Sequence, residues 1–241
     1  MQGFFEWFQV GWDKIWGWMP ALMESTAVTL ELTAASVSTA VVLGVFLALG
    51  KINKNGVIRR LSAAYIFFFR GTPLMLQLYF VYYTLPDILH KLFDGSSLEF
   101  IATGPLSMQS RFFAAFLAFS LNIAAYLAEI IRAAIQSIPK GQMEAARSLG
   151  LTYGQGMRLI VIPQAYRRMM PPVCNEFVMV LKDTSLVAII ALMDLTFQTK
   201  QIAALRSSEL VYIPAMIIYL ILSGVFTLIF NKLEKKLAAH E

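Results

Sequence analysis

Apolar residues in this chain gather into five stretches separated by polar connections. They run from about Thr26 to Leu49, Leu61 to Leu85, Phe112 to Ile131, Pro172 to Leu195 and Val211 to Phe230. At about 1.5 Å per residue, each is long enough to cross a hydrocarbon layer roughly 30 Å thick. The pattern therefore predicts an all-α integral membrane protein with five transmembrane helices. Ahead of the first span, Phe4, Phe5, Trp7, Phe8, Trp12, Trp16 and Trp18 are interspersed with Glu6, Asp13 and Lys14. That mixture lacks the clean apolar core of a signal peptide or a full span, and indole rings favour the headgroup region. Residues 1–20 therefore read as an interfacial aromatic segment.

Polar residues inside the spans are few. Thr29, Thr33, Ser36, Ser38 and Thr39 can hydrogen-bond their own helix or a neighbour, and Glu31 can snorkel from near a span end. The second span is interrupted by Arg70-Gly71-Thr72-Pro73, where proline removes a helical hydrogen bond, so a kink or local unwinding is expected near mid-membrane. In the third, Asn122 and Glu129 stand seven residues apart and share a face with Ala125 and Tyr126 between them. The fourth carries Glu176, Lys182, Asp183, Thr184 and Ser185. Arg70, Asn122, Lys182 and Asp183 each lie about ten residues into their spans, which puts them at similar depth. Unpaired charge there costs at least a few kcal/mol, so these groups should face one another or a hydrated cavity. A zwitterion suits such a cavity, with Asp183 or Glu129 for an ammonium, Arg70 or Lys182 for a carboxylate, and Asn122 and Ser185 as hydrogen-bond partners. Structural ion pairing is the alternative for the same charges.

Composition agrees with the membrane assignment. Of 241 residues, 58% are hydrophobic and 15% charged, and the mean hydropathy of +0.63 exceeds what a soluble core of this size can hide. The net charge of +5 has a topological origin. Lys51, Lys54, Arg59 and Arg60 follow the first span; Arg132, Lys140, Arg147, Arg158, Arg167 and Arg168 follow the third; Lys232, Lys235 and Lys236 follow the fifth. The opposite connections hold only Lys91 and Arg111, and Lys200 and Arg206. The positive-inside rule then sets the N-terminus out and the C-terminus in, and accounts for the charge without nucleic acid. The connection from Pro86 to Arg111, with Asp87, Asp94, Glu99 and turn signals at Gly95 and Gly104, faces outward, as does the loop around Lys200, Arg206 and Glu209. Cys174 is the single cysteine, and His90 and His240 lie outside the spans, so neither a disulfide nor a metal site is expected. No G-x-x-x-x-G-K-[ST], H-E-x-x-H or G-x-S-x-G occurs, which argues against a P-loop ATP site or an enzymatic activity of its own.

The connection Gly141 to Pro163 is long, basic and rich in helix formers, although apolar spans flank it. Gln142 to Leu149 suits a helix, which Gly150 can end in a left-handed conformation; a second piece from about Thr152 to Ile162 then turns away and stops at Pro163. Glu144 and Arg147, at i and i+3, can pair or reach a partner's charges, and small Ala145 and Ala146 let the knob sit inside a partner's groove. Glu144-Ala145-Ala146, Gly150, Ile160, Ile162 and Pro163 match the E-A-A-x3-G-x9-I-x-L-P pattern with one departure, Ile162 in place of leucine. This stretch resembles the EAA loop by which ATP-binding-cassette (ABC) importer permeases engage their ATPase subunits.

Three further strings, Phe69-Arg70-Gly71-Thr72-Pro73-Leu74, Ala128-Glu129-Ile130-Ile131-Arg132-Ala133 and Leu181-Lys182-Asp183-Thr184-Ser185-Leu186, resemble those of polar amino-acid ABC permeases, the histidine, glutamine and arginine branch. The resemblance covers nearly all of Thr26 to Phe230. It implies the type I ABC importer permease fold in a bacterial plasma membrane, with a permease domain at 21–232, a coupling loop at 139–163 and a cytoplasmic tail at 233–241. It also implies a second permease chain, two ABC ATPase subunits holding ATP and Mg, and an extracytoplasmic amino-acid-binding protein. Arg70, Asn122, Ala125, Glu129, Lys182, Asp183 and Ser185 are then the candidate substrate residues. Gln142, Glu144, Ala145, Ala146, Arg147 and Gly150 are the candidate coupling residues. An ion-coupled transporter or channel, or a membrane-embedded enzyme, would have to treat the EAA-like pattern as coincidence.

Overall fold

A computed structural model describes residues 2–93 and 110–238, with side chains at 15–92 and 110–236. The regular elements among the described residues are all helical. In chain order they are α1 (Gln2–Lys51), α2 (Gly56–Gly71), α3 (Leu74–Tyr79), a π-turn (Phe80–Thr84), α4 (Leu85–Phe93), α5 (Arg111–Gln136), α6 (Lys140–Ser148), α7 (Tyr153–Gly156) and a second π-turn (Met157–Val161). Then come α8 (Ile162–Asp183), a 3-10 segment (Thr184–Ile190), α9 (Leu195–Arg206), a short 3-10 turn (Glu209–Val211) and α10 (Tyr212–Ala238).

Among the described residues, three segments are long and apolar enough to cross a membrane: Ile15–Lys51, Arg111–Gln136 and Glu209–Lys236. The helices Gly56–Gly71 and Leu74–Leu92 are long and apolar enough only when taken together, as a broken span or a re-entrant loop, and they are bent by 103° at the Thr72-Pro73 break. Two-thirds of the α5 window is buried against 17% for the α10 window, which makes α5 the most enclosed of these helices.

Several helix limits differ from those expected. The first helix does not begin near Thr26 but runs unbroken from Gln2, with Pro20 inside it. The fourth expected span does not start at Pro172: α8 begins at Ile162, holds Pro171 and Pro172 internally, and passes into the 3-10 segment rather than continuing to Leu195 as α-helix. The expected loop around Lys200 is helix α9, whose N-cap Asp194 accepts hydrogen bonds from the Thr196 and Phe197 backbone N–H groups. Part of the expected outward loop after Pro86 is α4, and Asp94, Gly95, Glu99 and Gly104 lie outside the described residues.

Proline explains both π-turns. Pro86 and Pro163 each stand two residues beyond the end of one, and the intervening Leu85 and Ile162 N–H groups bond back to Phe80 and Met157. A proline in an α-helix lacks an N–H and crowds the carbonyl four residues earlier; the wider turn relieves both problems without ending the helix. Pro163 therefore does not stop the second piece of the 141–163 connection, which runs on into α8.

The chain divides into two compact units. The first comprises Met1–Ala35, Met75–Ala118 and Met179–Val225. Here Trp18 and Leu22 of α1 pack with Leu195 and Ile202 of α9, with Val211 of the short 3-10 turn and with Ala215 and Ile218 at the start of α10. Two hydrogen bonds tie the same helices together: the Leu195 N–H donates to Thr29 Oγ1 at 3.2 Å, and Thr196 bonds Tyr219 at 2.9 Å. The second unit comprises Ser36–Leu74, Phe119–Val178 and Phe226–Glu241. Small residues let α1 and α5 approach closely there, since a Cβ on Gly44 would lie 3.0 Å from Leu127 Cβ and 3.3 Å from the Ala124 carbonyl. Ala48, Ile66, Ala125, Ala128 and Ile131 form the core where α1, α2 and α5 meet. Phe177 packs on Phe226 and Phe230, with ring centroids 4.8 and 5.3 Å away.

Candidate functional site

Two places in the second unit carry the chemistry singled out above. The first is an elbow formed by α6 and α7. Helix α6 closes in a Schellman motif: the Leu151 N–H bonds the Ala146 carbonyl, the Gly150 N–H bonds the Arg147 carbonyl, and Gly150 has φ +81°. Two residues later Thr152 opens α7 with a capping box, its hydroxyl accepting from the Gln155 N–H while Gln155 Oε1 accepts from the Thr152 N–H. The left-handed Gly150 is as expected, and a hydrogen-bonded joint of four residues, 149–152, sets the angle of the elbow.

The elbow is anchored from beneath. Ala134, Ile138, Val161 and Ala165 form its core, with Met143 and Met157 packed against them. Ala146 is 1% exposed and meets Gly156, so its small size serves packing inside the elbow. Gln142, Glu144, Ala145, Arg147 and Gly150 are exposed, as is Leu149 at 81%. The Arg147 guanidinium lies 5.8 Å from the centre of the Tyr153 ring, and no Glu144–Arg147 salt bridge forms.

The second place is the break between α2 and α3. Ending a helix in an apolar setting strands carbonyls, and two of these have replacement donors. Thr72 Oγ1 donates to the Phe68 carbonyl at 2.9 Å, and Asn122 Nδ2 donates to the Phe69 carbonyl at 3.0 Å. The helical partner of the Phe69 carbonyl would have been residue 73, which is proline and has no N–H. Asn122 thus compensates for Pro73 from another helix. Asn122→Leu removes this donor at similar volume, at an expected cost of about 1–2 kcal/mol. The check is the thermal midpoint of the purified protein in detergent; an unchanged midpoint would mean that the carbonyl does not depend on Asn122.

Next to the break, a cavity of about 340 Å³ is lined by Lys51, Ile66, Arg70, Tyr126 and Glu129, among others. Exposed Arg70 places its guanidinium 5.2 Å from the centre of the Tyr126 ring. Glu129 is held on both oxygens: Oε1 accepts from Lys51 Nζ, and Oε2 accepts from Arg132 Nε at 2.8 Å. Ala125 is fully buried in the packing core, so its side chain does not reach this cavity. Lys182, Asp183 and Ser185 belong to the first unit, where α8 passes into the 3-10 segment. Lys182 and Asp183 are exposed there and Ser185 is half-buried.

The sequence reading took Lys51 only as a marker of topology and Tyr126 only as a neighbour of Asn122. A buried-side carboxylate signals that a cation is needed, but it does not say which of the surrounding Lys and Arg residues supplies it.

Comparison with known proteins places the chain. The family model described as "Binding-protein-dependent transport system inner membrane component" matches residues 40–239. The arginine transport system permease protein ArtQ of Bacillus subtilis is 36% identical over 92% of this chain and 95% of its own length. The glutamine transport system permease protein GlnP of Escherichia coli K12 is 31% identical over 95% of this chain and 98% of its own length. A crystal structure of an amino acid ABC transporter with histidines has 33% identity and a TM-score of 0.81, covering 92% of this chain and 97% of that one. The MetNI methionine ABC transporter in an inward-facing form, at 18% identity and a TM-score of 0.73, shares the fold. The chain belongs to the binding-protein-dependent transport system inner membrane components, multi-pass proteins of the bacterial plasma membrane, and within them to the amino-acid ABC importer permeases.

Proposed function

We propose that this permease carries a polar amino acid inward by alternating access, driven by ATP hydrolysis on partner subunits. The observation that carries the reading is the elbow: a hydrogen-bonded, internally anchored joint that leaves Gln142, Glu144, Ala145, Arg147 and Gly150 exposed within an EAA pattern. In this reading five spans place the N-terminus outside and the elbow inside, within a permease domain at 21–232 preceded by an interfacial segment and followed by a cytoplasmic tail. Two ATPase subunits, which hold ATP and Mg, receive the elbows of this chain and of a second permease chain. An extracytoplasmic binding protein delivers the substrate. ATP binding draws the ATPases together, the elbows follow as levers, and the path opens outward; hydrolysis reverses the motion.

Within the second unit, Arg70 is a proposed carboxylate partner for the substrate and Asn122 a proposed hydrogen-bond partner. The first unit carries its own proposed candidates: Lys182 for a carboxylate, Asp183 for an ammonium and Ser185 as a hydrogen-bond partner. Ala125, sealed in the core, and Glu129, held by two cations, leave the set.

The test is ATP hydrolysis by the chain co-purified with its ATPase in lipid, with binding protein loaded from a panel of amino acids. Stimulation by one or a few of them is expected and would name the substrate. Absence of both co-purification and stimulation from well-folded protein would overturn the reading of the elbow as the ATPase contact.

A further inference from the structure

We infer that Glu129 is a positioning residue for coupling: with Lys51, Arg132 and Gln136 it forms a tie that holds the helix end carrying the elbow to the end of α1. The inference rests on the proposed role of the elbow as the ATPase contact. All four residues lie in the second unit. Lys51 is the last residue of α1. Glu129, Arg132 and Gln136 follow one another at i, i+3 and i+7 along the last turns of α5, so they share one face.

The contacts along the tie are continuous. Lys51 Nζ donates to Glu129 Oε1; Arg132 donates to Glu129 Oε2 from Nε at 2.8 Å and contacts it from Nη2 at 2.6 Å; Arg132 Nη1 donates to Gln136 Oε1. The fork of two contacts from one guanidinium fixes direction as well as distance. The Glu129 side chain is 14% exposed, with Lys51 at 28% and Arg132 at 27%, so these pairs are partly shielded from solvent.

The position of the tie gives it a mechanical role. Its upper members, Lys51 and Glu129, line the cavity beside Arg70 and Tyr126. At its lower end, Gln136 lines a second cavity of about 420 Å³ together with Ile52, Lys140, Met143 and Tyr153, which are residues of the elbow and of the turn after Lys51. The same two short segments, Lys51–Ile52 and Glu129–Gln136, therefore border both cavities. Only the turn 137–139 separates the end of α5 from α6, so orientation of the α5 end is passed directly to the elbow. Apolar packing alone resists separation of α1 and α5 but resists rotation of the α5 end poorly, because it lacks direction. The directional bonds at Glu129 supply that restraint.

Two readouts on the full complex of chain, ATPase and binding protein in lipid test the tie. In Glu129→Gln, backbone hydrogen exchange across 140–156 is expected to quicken about tenfold, and the fold-stimulation of ATPase by loaded binding protein to fall by a similar factor. The triple reversal Lys51→Glu, Glu129→Lys, Arg132→Glu keeps the pairing pattern with inverted charges and is expected to restore both. Restoration separates a tie from a substrate ligand, since a lysine at 129 cannot replace a carboxylate that holds an ammonium. Unchanged exchange in Glu129→Gln, or a triple reversal that leaves both readouts impaired, would overturn the inference. Should Glu129→Gln fail to assemble, recovery of assembly and slow exchange in the triple reversal supports the tie, and its failure overturns it. Lack of stimulation in the wild-type complex would count against the importer reading, while the exchange experiment still decides whether the tie exists.

Discussion

Gly150→Val is expected to remove most of the ATPase stimulation and amino-acid uptake while the protein still inserts and accumulates in the membrane. Gly150 has φ +81° at the turn that ends α6, and its neighbours complete a Schellman motif. A residue with a Cβ is disfavoured there by roughly 1–2 kcal/mol, and a β-branched side chain by more. Nothing lies within 4 Å of the position a Cβ would take, so the penalty is conformational and not a clash. The joint has no slack to absorb it, because Thr152 begins the next helix two residues on. With α7 turned out of place, the exposed residues of α6 no longer meet the ATPase in one orientation, and stimulated hydrolysis should fall about tenfold or more. Gly150→Asn is the control, since asparagine tolerates the left-handed region, and it should keep much of the coupling. Full stimulation in the valine variant would show that the left-handed turn is dispensable.

Gly44→Leu is expected to have its effect before function, on assembly. The added Cβ would stand 3.0 Å from Leu127 Cβ and 3.3 Å from the Ala124 carbonyl and the Ala128 backbone nitrogen. Two of these are backbone atoms of α5 and cannot swing aside. Helix α1 must move away or the leucine must distort, at a cost of about 1–3 kcal/mol by the usual penalty for overpacking. Displacing α1 would also lengthen the Lys51–Glu129 contact one to two helical turns further on. A drop of roughly 5 °C in the midpoint for loss of monodisperse protein in detergent, with less protein in the membrane, is the expected result. An unchanged midpoint would mean that α1 and α5 have room to part.

Local chemistry was the readable portion of this chain. Apolar length identified the membrane class, Pro73 marked the break, and Gly150 marked a left-handed turn, because each depends on residues within one or two helical turns. Proline was also where local reading failed. Pro163 reads as a stop and Pro172 as a start, yet a π-turn over Met157–Val161 carries the helix through Pro163, and α8 contains Pro171 and Pro172. The helical interruption expected at a proline depends on whether the preceding turn can widen, and one-letter patterns do not record that. Helix α9 was hidden for a different reason: its Thr, Gln and Lys content resembles a loop until Asp194 caps it and Leu195, Thr199 and Ile202 find cover.

By itself, then, the sequence determined which segments are apolar, where one helix breaks, and where the elbow turns. Tertiary structure alone decided what several side chains are for. Asn122 serves a carbonyl 53 residues away, Glu129 meets a lysine 78 residues away, and Ala146 turns inward on Gly156 while Ala145 stays exposed. Backbone preferences are set by neighbours along the chain, whereas a charge or an amide in an apolar setting takes whichever partner helix packing brings within about 3 Å.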